Sequence, residues 1–197
     1  MITNNPSNNK RVMVFIDGEY VIQSFRDIIK GNKKEDINLQ SIIRHICKKC
    51  GDERLYDNIV RIYYYTAELS RKENPETYEK QKIFLKGLKD KIPNIHIKLG
   101  KMIPISKSKW IQKGVDVKLS IDMLSKAFKN HYDIAILIAG DSDFAELITE
   151  IKESYGKNVI LCVFDRSCDI SDELKYAPDK FIEITKKDII SKELIKK

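Results

Sequence analysis

The chain of 197 residues is 42% hydrophobic and 33% charged, which fits one ordinary domain and excludes general disorder. No apolar run is long enough to span a membrane, and the polar residues 1–10 are unlike a signal peptide, so we expect a cytoplasmic protein with no membrane partner. The net charge of +7 favours an anionic partner, nucleic acid first, although a general preference for lysine would give the same excess.

The first half of the chain alternates between strand and helix patterns. Short apolar or β-branched runs predict strands at 11–16, 59–67 and 95–99. Amphipathic patterns predict a helix after each of the first two strands and another between them that Gly51 closes. Asn74 and Pro75 are typical of an N-cap followed by the first helical residue.

The second half begins with a basic loop, Lys101–Lys113, that contains no acidic residue. The strongest helix pattern of the chain follows at 114–130. It has one apolar face on which the residues are spaced four, three and four apart, as in helices packed on a core: Val117, Ile121, Leu124 and Phe128. Further strands are predicted at 133–139, 159–164 and 181–184, with a helix between the first two of them.

This alternation predicts a three-layer α/β domain, Rossmann-like, with a mostly parallel central sheet of about five to six strands. We expect residues 1–10 to be flexible, residues 11–185 to form the domain, and residues 186–197 to form a basic amphipathic tail. In such sheets, ligands bind beyond the C-terminal ends of the strands, where the strand order reverses.

Acidic residues stand where that rule places a ligand. Asp17 ends the first strand, Asp141 and Asp143 follow the buried run 134–139, and Asp116 opens the strongest helix. Four carboxylates on one rim would repel one another, and a hard cation such as Mg²⁺ or Mn²⁺ would relieve the repulsion. Each acid alone could instead serve as a helix cap, a first-turn residue or a turn residue.

The basic loop is the best candidate for binding nucleic acid. Its lysines could neutralise phosphates and its tryptophan could stack on a base, and the residues concerned are Lys101, Lys107, Lys109, Trp110 and Lys113. The alternative to a nucleic-acid patch is a flexible basic loop that binds nothing, with Trp110 packed against the domain. Ser142, at the start of a helix, could offer its hydroxyl and backbone N–H to a phosphate.

The cysteines predict no disulfide framework and no zinc site. Four cysteines in a chain of this length fit reduced thiols better. The run His45-x-Cys47-x-x-Cys50 lies late in a predicted helix, and no second ligand pair follows nearby in the sequence. Cys162 and Cys168 could complete a zinc site only if the fold brings them close, so the role of this run is left open.

Three motifs in order resemble the NYN domain, in the LabA-like, DUF88 branch of the PIN-like ribonuclease superfamily. They are Phe15-Ile16-Asp17-Gly18, Lys113-Gly114-Val115-Asp116-Val117 and Gly140-Asp141-Ser142-Asp143-Phe144, and the resemblance covers about residues 11–185. It implies a PIN-like sheet and a metal-dependent nuclease acting on RNA, with Asp17, Asp116, Asp141 and Asp143 as the acidic Mg²⁺ or Mn²⁺ site.

One position departs from the family pattern. Tyr20 stands where members of the family usually have an asparagine beside the metal site, and its hydroxyl could touch substrate or its ring could partly close the site. Two functions therefore stay open: a metal-dependent ribonuclease, and a catalytically weak or inactive module that binds RNA. A third hypothesis, a phosphatase-type hydrolase with Asp17 as nucleophile, would want a second aspartate two residues on, where this chain has Glu19. A second copy of the chain is a further candidate partner.

Overall fold

The computed structural model describes residues 10–28, 37–72, 74–104, 110–165, 170–191 and 194. Within them, helices cover both faces of one sheet. The strands are β1 (Val12–Asp17), β2 (Ile59–Glu68), β3 (Ile95–Pro104), β4 (Trp110–Lys113), β5 (Ile134–Ile138), β6 (Asn158–Phe164) and β7 (Lys180–Ile184). The helices are α1 (Gly18–Ile28), α2 (Leu39–Lys49), α3 (Arg54–Asp57), α4 (Pro75–Lys91), α5 (Val115–Phe128), α6 (Phe144–Tyr155), α7 (Asp172–Tyr176) and α8 (Lys186–Ser191).

The sheet has the order β4-β3-β2-β1-β5-β6-β7 and is parallel except for β4, which runs antiparallel to β3. The three-layer, mostly parallel α/β prediction is confirmed, with seven described strands rather than five to six. The additional strand lies in the segment Lys101–Lys113, where the loop prediction was wrong for residues 101–104 and 110–113. That segment contains the end of β3 and all of β4, because Lys101 pairs with Lys113 across a short antiparallel ladder.

The two central strands fix the position of any ligand crevice. β1 and β5 are hydrogen-bonded neighbours, and the residues from Val12 to Ile16 and from Ile134 to Ile138 are all buried. Strands β2 and β3 follow β1 in the sequence and lie beyond it toward one edge of the sheet, and β6 and β7 follow β5 and lie toward the other edge. The strand order therefore reverses between β1 and β5, as the sequence predicted.

Helices α1, α2, α4 and α8 pack against one face of the sheet, and α5, α6 and α7 pack against the other. Tyr63, Tyr64 and Tyr65 are buried and alternate between the two faces. The described end of the chain joins the first face, where Ile189 and Leu194 are buried in the core. No helix in the described ranges is long and apolar enough to cross a membrane.

The inward face of α5 differs from the predicted one. Val117, Ile121 and Phe128 are 61%, 60% and 74% exposed. The residues that α5 buries are Val115, Leu119, Met123 and Ala127. Both sets have helical spacing, so periodicity alone could not identify the face that packs on the sheet.

Two local predictions, the start of α4 at Asn74 and Pro75 and the end of α2 at Gly51, are confirmed. The Asn74 side chain accepts a hydrogen bond from the Thr77 N–H at 2.9 Å, and Pro75 is the first residue of α4. Gly51 follows α2 with a φ of 77°, a left-handed conformation that favours glycine.

Candidate active site

A crevice of about 340 Å³ lies at the carboxyl ends of β1 and β5. The residues that line it come from the ends of both strands, from α1 and α5, from β4 and from the segment before α7: Asp17, Glu19, Tyr20, Gln23, Gln112, Asp116, Gly140, Asp141 and Ile170. Three of the four predicted acidic residues therefore share one crevice.

Asp17 is held at the point where β1 becomes α1. Its Oδ1 accepts hydrogen bonds from the backbone N–H groups of Glu19 at 3.0 Å and Tyr20 at 3.2 Å. Only glycine fits between the strand and the helix, because a Cβ on Gly18 would lie 2.4 Å from Cζ of Tyr64. This tight turn fixes the carboxylate at the floor of the crevice.

The surroundings of Asp17 disfavour the ionised form of its carboxyl group. Its pKa is raised to about 6, chiefly by burial and also by the nearby charges of Asp116 and Glu19, although the hydrogen bonds from the two backbone N–H groups act to lower it. The pKa of Asp116 is also raised, by burial first and then by Asp141 and Asp143. The four predicted carboxylates thus form one electrostatically coupled set.

Asp141 and Asp143 lie in the turn before α6 and are exposed. Asp141 Oδ1 accepts a hydrogen bond from the Asp143 N–H at 3.0 Å, ahead of the helix. Asp143 occupies the N-cap position of α6, but its side chain makes no capping hydrogen bond. Helix capping therefore does not account for the Asp143 side chain, whereas Asp141 has a local hydrogen bond at the start of α6.

The donor set suits a hard divalent cation, since every acidic ligand candidate offers carboxylate oxygen. In the part of the chain that the structure describes, no three His, Cys, Asp or Glu side chains converge closely enough to hold a metal ion as they are placed. The carboxylates would have to turn toward a shared ion to bind it.

Tyr20 forms one wall of the crevice. Its hydroxyl accepts a hydrogen bond from the Phe164 N–H at 3.0 Å, at the end of β6. Its ring covers Gly140 so closely that a Cβ there would lie 2.2 Å from Cε2 of the tyrosine. The departure from the family pattern is thus built into the packing between α1, β5 and β6.

The predicted nucleic-acid contacts are only partly within the described residues. Lys101 and Lys113 are exposed and directly opposite each other on β3 and β4, outside the lining of the crevice. Ser142 is exposed in the turn before α6. Lys107, Lys109 and the side chain of Trp110 lie outside the described residues.

Three residues that line the crevice, two glutamines and an isoleucine, were not predicted from the sequence. Gln23 lies one helical turn after Glu19 on α1, so the helical period from Glu19 could have identified it. Gln112 and Ile170 belong to no motif, and only the fold brings them to the crevice.

The cysteine motif lies in the core, away from the crevice. Cys47, Cys50 and Cys162 are buried, and burial raises the pKa of Cys47 to about 12, so its thiol stays protonated at neutral pH. His45 Nε2 lies 3.3 Å from Asp188 Oδ1, which links α2 to α8. Cys168 lies outside the described residues.

Comparison with known proteins gives a family and a fold. The family model of the NYN domain matches residues 11–185. The structure is similar to the crystal structure of VPA0982, a protein of unknown function from Vibrio parahaemolyticus RIMD 2210633. The TM-score is 0.64 and the identity 19%, over 91% of this chain and 96% of that one. At that identity the likeness shows the fold alone. No curated protein matches the sequence.

Proposed function

The chain is a member of the NYN domain family, within the PIN-like nuclease superfamily, and we propose that it is a metal-dependent ribonuclease. The substrate would be RNA, hydrolysed at its phosphodiester bonds in the acidic crevice. One observation carries the proposal: Asp17, Asp116 and Asp141 come from distant parts of the sequence and line a single crevice at the strand-order reversal. The motif spacing further supports the LabA-like, DUF88 branch.

The carboxylates would hold the metal in two roles. Asp17 and Asp141 are our candidates for direct ligands, and Asp116 and Asp143 would hold a second ion or its water molecules. When bound, Mg²⁺ or Mn²⁺ supplies a Lewis acid that polarises the scissile phosphate and activates water. Asp17 would bind through Oδ2, because the two backbone N–H groups already occupy Oδ1.

Other residues of the chain would position the RNA. Lys101 and Lys113 carry two adjacent positive charges on the β3–β4 hairpin that could contact backbone phosphates. The amide groups of Gln23 and Gln112, which line the crevice, can donate hydrogen bonds to phosphate or ribose oxygens. Ser142 would contact a phosphate from the turn before α6. The protein would act in the cytoplasm.

Tyr20 supports a second candidate, an RNA-binding module with little or no turnover. Its hydroxyl is bonded to Phe164 and its ring lies over Gly140, so a bulky wall stands where the family usually has a small amide. A narrowed crevice could retain RNA and metal yet misplace the scissile phosphate, since catalysis depends on near-ångström positioning.

RNA cleavage distinguishes the two candidates. End-labelled single-stranded and hairpin RNAs would be incubated with the protein in Mg²⁺, Mn²⁺ or EDTA, beside Asp141→Asn and the control Asp90→Asn, an exposed aspartate on α4. We expect the wild type and Asp90→Asn to cleave only with metal, and Asp141→Asn to lose at least about a hundredfold in rate. Cleavage in EDTA would refute the metal mechanism. Binding without cleavage would favour the module.

A further inference from the structure

Helix α5 carries an apolar row that faces away from the core. We define the α5 apolar row as Val117, Ile121, Leu124 and Phe128. Three of these side chains are 60–74% exposed, and Leu124 is half-buried. Fully burying a side chain of this size is worth about 1.5–3 kcal/mol, so a contiguous row of them is typical of an interface.

The spacing of the row indicates a helical partner. The intervals of four, three and four residues follow the seven-residue repeat of two helices packed along a seam. The core of the domain uses the other row, at intervals of four, beginning at Val115. The α5 apolar row is therefore a second face of the helix, and of its four residues Leu124 also packs against the core.

One flank of the row is basic. The Lys118 ammonium donates to the Leu99 carbonyl, which places it on the side of β3. Lys98 on β3 and Lys126 on α5 both pair with Asp122 on the same side. Lys126 is only 12% exposed and neutralises Asp122, so the positive charge that this flank presents comes from Lys98 and Lys118.

The other flank of the row is acidic. Helix α6 packs beside α5, where the rings of Phe128 and Tyr155 meet edge to face with their centroids 6.4 Å apart. The outer surface of α6 presents Glu146, Glu150 and Glu153, all exposed. The row thus separates a positive flank from a negative one.

We propose that the α5 apolar row binds the same row of a second copy of this chain, with the two α5 helices parallel. A twofold axis along α5 places the lysine flank of each copy against the glutamate flank of the other, and Val117 and Ile121 each meet their own counterparts. A twofold axis perpendicular to α5 places glutamates against glutamates, which is unfavourable. Nucleic acid is a poor occupant, because the glutamates beside the row repel phosphate.

Sedimentation velocity of the full chain tests the interface. We expect the wild type to be a dimer at micromolar concentration. Ile121→Glu should raise the dimer dissociation constant by about a hundredfold or more, because each dimer carries the change twice. The matched control is Ile83→Glu, which changes an isoleucine that is 69% exposed on α4, on the opposite face of the sheet, and should stay dimeric. A monomeric wild type, or an Ile121→Glu variant that remains dimeric, would overturn the proposal.

Oxidative cross-linking tests the orientation. In a parallel pair, Val117→Cys meets its own counterpart, so mild oxidation should give a covalent dimer from this variant, and the wild type controls for the native cysteines. If the helices were antiparallel, Val117→Cys would cross-link only when mixed with Phe128→Cys, and the parallel arrangement would be wrong. If Ile121→Glu lowered RNA affinity in a monomeric protein, the row would be an RNA contact and the dimer would be excluded.

Discussion

Replacing Asp17 with asparagine should stabilise the protein at neutral pH. The carboxyl has a pKa of about 6 in the folded protein and an ordinary value of 3.8, a difference of about 2.2 units, and each unit corresponds to about 1.4 kcal/mol. Below pH 3.8 the group is neutral in both states, and as the pH rises toward 6 it ionises first in the unfolded chain, which lowers the free energy of unfolding. Asparagine cannot ionise. We therefore expect Asp17→Asn to gain about 2–3 kcal/mol at about pH 7.5 and about 1 kcal/mol at about pH 4.5.

Urea unfolding followed by far-UV circular dichroism, in EDTA, measures this difference at both pH values. Asp90→Asn, an exposed substitution on α4, serves as the control and should change stability by less than about 0.5 kcal/mol at either pH. An Asp17→Asn protein that is less stable than the wild type, or whose advantage does not grow with pH, would show that the folded state imposes no penalty on the Asp17 charge.

Three further substitutions test contacts of the sheet and the crevice. Asp133→Asn should lower the free energy of unfolding by about 1–2 kcal/mol at neutral pH, because Arg11 holds the pKa of Asp133 at about 2. In urea unfolding, the difference from the wild type should shrink as the pH falls from 3.8 toward 2. A difference that stays constant with pH would contradict the ion-pair explanation. Gly140→Ala should cost about 1–3 kcal/mol by pushing its Cβ into the Tyr20 ring, and the cost should disappear in a Tyr20→Ala background, as a double-mutant cycle would measure. Tyr20→Phe removes the acceptor of the Phe164 N–H and should cost about 1 kcal/mol by urea unfolding, and an unchanged midpoint would exclude a stabilising role for that bond.

The placement of the acidic residues could be predicted because it depends on local signals and one topological rule. The apolar runs that end at Asp17 and before Asp141 are typical of strands buried on both faces, and such strands occupy the centre of a sheet. The rule for strand-order reversal then brings their carboxyl ends together. No long-range contact had to be known.

The face of α5 and the strand β4 could not be predicted in the same way. Apolar residues occur on two sides of α5, and the choice between the rows of Val115 and Val117 depends on β1, β2 and β3, which are distant in sequence. The strand Trp110–Lys113 has four residues, too few for alternation to be recognised, and it exists through pairing with β3. Gln112 reaches the crevice only because this pairing forms.

The most direct test of the central claim is the RNA-cleavage rate of Asp17→Asn with Mn²⁺. This variant should be more stable than the wild type, so a loss of activity cannot come from misfolding. If the acidic crevice holds the catalytic metal, we expect its rate to fall by at least about a hundredfold under conditions where the wild type cleaves. Cleavage at the wild-type rate by a folded Asp17→Asn protein would contradict the account.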